Sequence, residues 1–481
     1  MFALCVLLFA GWVWNTNRRG EAALEEILAE LDRRGLPTDT YYLKKEFGAS
    51  VNGKNAARFY EAAFAALGED EAYEMSVPCV GSADMPELGE PIDRERQVKM
   101  ATFLDEQRAF FSLLATARKH RRCFYNLDFN TRESQASAFL GDARQAARTL
   151  CVKSLHEQAL GRPEGALDAC EAIVDINLSL RNQPWCAVKL FQASNGRYLC
   201  KSIEQTLSRT TPSIESLRAL RSKLLLESES TSITEMIKAE IAYVAMQLKH
   251  PHFSMASAVH RNEQMAVVAQ DFPGRCRWQA FMDRPDARMM VSPDRMWPLR
   301  LLSAWVSVCP GAYRLDMMDE AKFFLREYDA LPAPSHDRAA RATQRLRGVT
   351  AESDDTAKIA ASWARWDLEC IQYQARLVAA ATALSAEVCR IENGKWPNAL
   401  SELQDEKLLD PFSGKPLKYR QMDGDCIVYS IGMNQRDDGG VEDKSYTAED
   451  RKDDIVFRLF AVEKRNVKPK AEECKRDGPE N

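Results

Sequence analysis

The sequence predicts a mainly α protein: a helical body followed by a small C-terminal α+β module, in which a long helix packs on a three-stranded antiparallel sheet. Three observations predict it. Apolar residues recur at three- and four-residue steps through most of 92–248. One uninterrupted stripe of the same kind runs from Asp355 to Asn393. Beyond it the period changes to short β-branched and aromatic runs, "LKYR", "CIVYSI" and "IVFRLF".

A length of 481 residues exceeds the ~250–300 at which a single core usually stops growing, so several units are expected. They divide as an N-terminal membrane anchor (1–19), juxtamembrane helices and a linker (20–91), an all-helical body (92–350), the long helix with its β module (351–461) and a disordered tail (462–481). Lys and Arg number 65 against 70 Asp and Glu, a formal net charge of -5, so nucleic acid is not an expected partner. The 13 cysteines include no C-x-x-C pair and no zinc spacing. Cys170, Cys186 and Cys370 fall inside helical patterns, where cysteine packs as a small hydrophobe.

The N-terminus, "MFALCVLLFAGWVWNTNRRG", is uncharged and apolar over 1–14. That run is shorter than the ~20 residues that span a bilayer. It lacks the basic n-region and A-x-A site of a cleavable signal peptide, while Trp12 and Trp14 suit a membrane interface. An anchor is therefore expected, with a buried N-terminal helix as the alternative. Next, "RRGEAALEEILAELDRRGLP" reads as a juxtamembrane helix stopped by Gly35 and Pro37, and "NAARFYEAAFAALG" as a second short helix.

Helical segments are expected near 92–120, 132–160, 164–182, 185–208, 213–227 and 232–248, and again near 298–308, 315–328 and 335–347. The junction "EQALGRPEGALDACEAIV" places small residues on both sides of a turn. It is similar to a tetratricopeptide hairpin, but no 34-residue period surrounds it, and an ordinary antiparallel helix pair explains it as well. Residues 249–297 read as a long irregular connection. Its His250 and His252 have no acidic or cysteine partners at metal-ligand spacing.

In the long helix, Ile359, Trp363, Trp366, Cys370, Tyr373, Leu377, Ala380, Leu384, Val388 and Ile391 form one stripe. Asp354 and Asp355 sit at its start and Gly394 at its end. A short helix is expected after Pro397, and Asp423-Gly424 signals a hairpin between the first two strands.

Taken in order, "AEVCRIENGKWPNALSEL", "DPFSGKPLKYR", "YSIGMNQRDDGG" and "DDIVFRL" resemble the C-terminal part of a type II secretion major pseudopilin or type IV pilin-like subunit. The matching positions are Gly394-Lys-Trp396-Pro397, Asp410-Pro411 through Tyr419, and Tyr429-Ser430-Ile431-Gly432. In that family the long helix begins at the membrane, whereas here about 350 residues precede it. The chain cannot therefore assemble as an ordinary pilin. The body, through Arg162-Pro163-Glu164-Gly165-Ala166-Leu167, also resembles a broad group of membrane-anchored helical proteins of the bacterial envelope. That likeness implies a location, with the body outside the cytoplasmic membrane, and no biochemical function.

The pseudopilin resemblance implies calcium in the loop after the Y-S-x-G strand. The family's first aspartate falls near Asn434 and its later pair on Asp453 and Asp454, with Asp437, Asp438 and Asp443 between them. Calcium takes six to eight oxygen ligands, which clustered carboxylates and carbonyls supply. A solvated acidic turn is the alternative. No other cofactor is implied.

No H-E-x-x-H, G-x-S-x-G, P-loop or G-x-G-x-x-G occurs. The expected function is thus non-enzymatic: a single-pass protein of the cytoplasmic membrane with a structural or interaction role, linked to a secretion or pilus-like system through protein partners. A helical-repeat scaffold binding proteins or peptides is the alternative, and an enzyme with a dispersed site ranks behind both.

Overall fold

A computed structural model of the chain describes residues 2–47, 55–67, 77–81, 83–120, 122–125, 134–181, 183, 185–229, 233–251, 306–331, 333–348, 355–403, 408–441 and 454–467. Over these residues the protein is mainly helical, with one small antiparallel sheet. The helices are α1 (Phe2–Arg33), α2 (Tyr41–Phe47), α3 (Ala57–Ala65), α4 (Arg94–Glu106), α5 (Arg108–Ala117), α6 (Ser134–Ala159), α7 (Pro163–Ser179), α8 (Cys186–Arg209), α9 (Ile214–Glu229), α10 (Ile233–Lys249), α11 (Pro310–Asp329), α12 (Ser335–Arg347) and α13 (Asp355–Asn393). The strands are β1 (Lys418–Met422), β2 (Asp425–Ser430) and β3 (Ile455–Leu459).

The apolar N-terminus and the following amphipathic segment are one helix, because no proline separates them and Gly20 is a tolerable interior residue. Its first half leaves Leu4, Leu7, Leu8, Phe9, Trp12 and Trp14 exposed, whereas Ile27 and Leu31 are buried with α10 and α11. The transition falls where α1 crosses the start of α11. A Cβ on Gly20 would lie 2.4 Å from Cα of Gly311, so only glycines permit that approach. Asn17 fastens the crossing, its Oδ1 accepting from Gly311 N at 2.9 Å and its Nδ2 donating to Val308 O at 3.3 Å. Among the described residues, no helix is long and apolar enough to cross a membrane.

The body follows the predicted periodicity. Its 92–120 segment is two helices, since Gln107, at φ -90° and ψ 16°, interrupts the ladder between α4 and α5. Helices α6 and α7 pack as a hairpin through the turn at 160–162, with Pro163 opening α7 where its missing N–H costs nothing. The connection expected over 249–297, with His252, lies outside the described residues beyond Pro251. His250 still bonds back to Met246 O at 2.9 Å.

Helix α13 is the axis of the molecule. The predicted stripe is only one of its buried faces. Tyr373 to the N-terminal side and Val388 toward the end belong to the largest core, which also contains Phe110, Leu150, Leu220 and the sheet residues Val428 and Phe457. Ala364, Leu368 and Ile371 pack with α12, and Trp363 with α10 and α11. The boundary expected at residue 351 is therefore no boundary of the core, because alanines such as Ala379, Ala381 and Ala383 let neighbouring helices approach the faces between the large residues.

Strand order is β1-β2-β3, antiparallel throughout, with Tyr419 opposite Val428 and Val428 opposite Phe457. The predicted hairpin turn is present. Asp423 (φ 48°) and Gly424 (φ 84°) both occupy the left-handed region that a two-residue hairpin of matching twist requires. Buried and part-exposed residues alternate along β3, whose buried set faces the helices, while β1 is an exposed edge. The short helix expected after Pro397 is a 3-10 turn, Leu400–Glu402.

The first residues of the stretch expected as a tail, 462–467, are folded onto the helices. Val462–Lys464 form a further 3-10 turn, and Arg465 is buried, bonding to Thr210 O at 2.9 Å and to the carboxylate of Glu387. Residues 468–481 lie outside the described residues.

Candidate functional site

The motif string of the C-terminal module is one hydrogen-bonded assembly. Asp410, 1 % exposed, bridges the turn after it to the end of β2: Oδ1 accepts from Ser430 Oγ at 2.6 Å and Phe412 N at 3.0 Å, and Oδ2 from Ser413 Oγ at 3.0 Å and Ile431 N at 3.3 Å. Four donors make a buried carboxylate tolerable. Trp396 Nε1 donates to Gly424 O at 2.7 Å, and Tyr419 Oη and Gln421 Nε2 reach Pro397 O at 2.8 Å and 2.6 Å. The turn after α13 is thereby tied to the hairpin.

From this frame β2 runs into the acidic loop. Asp437 is held by protein donors: Tyr429 Oη at 3.0 Å, Gly439 N at 3.1 Å and Lys418 Nζ at 3.0 Å. The hydrogen bond from Lys418 outweighs partial burial and holds its carboxyl below the usual aspartate value. Asn434 Oδ1 accepts from Arg436 N at 2.8 Å, and its Nδ2 donates to Asp438 Oδ2 at 2.7 Å. In that orientation the asparagine organises the turn with its oxygen already engaged. Gly439 and Gly440 carry φ of 75° and 79°, and a Cβ on Gly440 would meet Ile427 Cδ1 at 2.3 Å, so glycine is required where the loop folds back on β2.

Asp454 differs from the rest. It is 1 % exposed, its Oδ2 accepts from Gly440 N at 2.7 Å, and its Oδ1 is buried with no hydrogen-bond partner among the described residues. Burial raises its carboxyl above the usual value. The backbone N–H groups of Gly440 and Asp438 oppose that shift, while the charges of Asp438 and Asp437 add to it.

Of the six residues singled out from sequence, the structure thus brings Asn434, Asp437, Asp438 and Asp454 into one loop. Asp443 and Asp453 lie outside the described residues. Among the described residues, no three His, Cys, Asp or Glu side chains are grouped so as to hold a metal ion. Fit to a hard cation is therefore uneven: Asp437 and Asn434 are committed to protein donors, whereas Asp454 offers a buried oxygen that a cation would satisfy.

A second polar cluster has no sequence signature. Tyr373 Oη on α13 donates to Glu227 Oε1 on α9 at 2.8 Å and accepts from Asn177 Nδ2 on α7 at 2.8 Å. Asn195 Nδ2 on α8 donates to Asn177 Oδ1 at 3.1 Å. All four residues are buried. Burial and the Glu227 charge push the Tyr373 phenol well above its usual value. Gly196 makes the room, since a Cβ there would lie 2.0 Å from Tyr373 Cε2. The cluster sets the register of four helices; its members come from separate helices, so no local motif announces it.

Fold and site together define a mainly helical protein that carries a small antiparallel sheet stitched to its central helix. Compared with protein-family models, curated proteins and solved structures, the chain matches none.

Proposed function

We propose that the chain is a non-enzymatic, membrane-tethered protein of the bacterial envelope, with a structural or interaction role in a secretion or pilus-like system. The observation that carries this reading is the Asp410–Ser430 bracket at the end of β2. It joins the D-P turn to the Y-S-I-G strand end, and so gives a physical reason for the pilin-like order of motifs in one folded unit. Tethering is supported by the exposed apolar start of α1, where Phe9 and Trp12 stack at 6.2 Å and Arg18 lies 5.6 Å over Trp14, an arrangement suited to a lipid–water boundary. Among the described residues, the exposed edge β1 is one surface open to a protein partner, and the acidic loop lies beside it. Calcium in that loop, around Asp454, belongs to the same reading.

The C-terminal segment cannot be removed to test this, because α13 is shared with the body. Topology is the better test. In spheroplasts of a bacterium expressing the full chain, external protease should cleave the body while it remains with the membrane fraction. A body protected until the membrane is lysed, or one that leaves the membrane in low-salt washes, would overturn the reading.

A further inference from the structure

Cys79 and Cys151 are 72 positions apart in the chain, yet their thiols meet as hydrogen-bond partners. The turn at 77–81 lies across α6 and is pinned there by Arg148, whose Nε donates to Cys79 O and whose Nη2 donates to Val80 O. Arg148 and Cys151 are one turn apart on the same helix face. Holding the Cys79 carbonyl therefore sets Cys79 over Cys151, and Val152 and Leu155 of α6 pack with Val77 and Val80 around them. Met85 brings a third sulfur, its Sδ 3.1 Å from Cys79 Sγ. The turn is strained at the cysteine itself. Cys79 has a φ of 67°, and Val80 N donates to Pro78 O at 2.8 Å, which makes Cys79 the centre of a γ-turn of the rare positive-φ kind. Neighbouring cysteines differ: Cys170 bonds to Ser154 Oγ and Cys200 to Arg376 O, each at 3.7 Å.

The two sulfurs are placed differently with respect to solvent. Cys151 is 1 % exposed, whereas Cys79 is part-exposed, so a reagent reaches Cys79 first. The bond between the thiols pushes Cys79 up and holds Cys151 down, and the Arg148 charge favours a thiolate on either sulfur. We propose that Cys79 and Cys151 are a reversible redox pair, oxidised by a low-molecular-weight disulfide such as oxidised glutathione to a cross-link between the 77–81 turn and α6. With Cys151 ionised, the Cys79 proton passes across to its sulfur, and Cys79 Sγ attacks one sulfur of the oxidant. The oxidant's S–S bond breaks and its first thiolate leaves. Cys151 Sγ, giving up the proton again, then attacks Cys79 Sγ and expels the second thiolate. Two electrons pass from the cysteines to the oxidant, and the two protons that the pair gives up are taken up by the departing thiolates. This inference is independent of the envelope reading, since it uses none of the C-terminal motifs and no assignment of topology.

The test uses the full-length protein, reduced and then equilibrated with oxidised glutathione. The reaction is quenched in acid, and the denatured chain is alkylated and mapped as peptides without reductant. A peptide joining Cys79 to Cys151, lighter by two hydrogens than its separate halves and released by dithiothreitol, is the expected result. The oxidised protein should also melt a few degrees above the reduced one, because the cross-link closes a long loop of the unfolded chain. Cys79→Ser should abolish both the joined peptide and the shift, and Cys151→Ala should do the same if the first variant is poorly folded. The peptide map of the unsubstituted chain decides the matter even if neither variant folds. Recovery of both cysteines alkylated, glutathione retained on Cys79 beside an alkylated Cys151, or Cys151 joined to another cysteine such as Cys170 would each overturn the inference.

Discussion

Glu387 and Arg465 form a two-pronged ion pair, Oε1 to Nη1 at 2.8 Å and Oε2 to Nη2 at 3.0 Å, between side chains that are 0 % and 3 % exposed. Arg390 binds the same carboxylate, at 2.9 Å from Nε and 2.8 Å from Nη2. The pair fastens the segment after β3 to the last turns of α13. Since Arg465 also reaches Thr210 O and Thr211 Oγ1, it locks α8 to the same point.

Removing the carboxylate leaves two guanidinium groups facing each other without compensation. Glu387→Gln should therefore destabilise the protein by about 3–5 kcal/mol at neutral pH, the usual cost of breaking a buried pair. Burial pushes the Glu387 carboxyl upward, but the bonds from Arg390 and Arg465 outweigh it and hold it below 4.5. A lowered folded-state value means that the unfolded chain takes up this proton first, so the contribution is complete above 4.5 and is lost as the pH falls below it. Urea denaturation of wild type and variant should show their difference shrinking over that acidic window. A chain ending at residue 461 should be destabilised much as Arg465→Ala is.

Gly196 and Tyr373 make a second testable contact. Gly196→Ala places a methyl within the tyrosine ring's space and should cost about 1–3 kcal/mol through overpacking. Tyr373→Leu should cost stability by itself, because Glu227 and Asn177 lose a buried partner. If the close approach is the cause, the two substitutions will not add: the double variant should lose less stability than the sum of the single losses. Strict additivity in thermal unfolding would refute the coupling.

The Asp410 bracket should be the most sensitive point of the sheet. Asp410→Ala strands the Ser430 hydroxyl and the N–H groups of Phe412 and Ile431, which at about 1–3 kcal/mol for each buried unsatisfied group outweighs any single strand contact. Asp410→Asn keeps acceptors on one side only and should fall between alanine and wild type. Amide exchange at Ile431 should accelerate in both variants, while exchange in α6 and α7 stays at the wild-type rate.

Calcium is tested through Asp454. Its carboxyl lies above the usual 3.8, raised chiefly by burial, so the folded chain keeps this proton to higher pH than the unfolded chain. Without a cation, the group's effect on stability is least unfavourable in acid and worsens as the pH rises from 3.8 through its folded value. A bound cation would remove that penalty. Millimolar calcium should raise the melting temperature of the full chain at pH 7 and leave Asp454→Asn unmoved. An equal response in both would place any calcium elsewhere.

Much of the fold is legible in the residues themselves, because each feature is local. Periodicity alone places α6 through α10, α12 and α13, and Asp423-Gly424 fixes the hairpin, since glycine, lacking a Cβ, and aspartate, with its short polar side chain, both tolerate the positive φ of such a turn. The acidic loop is legible as a cluster of charges. Its partners Lys418 and Tyr429 are not, as they approach only when β1 and β2 pair.

What only the tertiary structure decides is which faces and charges meet. A helical stripe of large residues identifies one buried face of α13. The alanines between them read as neutral, although they are what admits the surrounding helices. A polar C-terminal stretch reads as solvated until Arg465 finds Glu387 on α13, 78 positions away in the chain. Spacing and composition record short-range preference, whereas a buried ion pair or a glycine facing a tyrosine depends on distant segments arriving at one place.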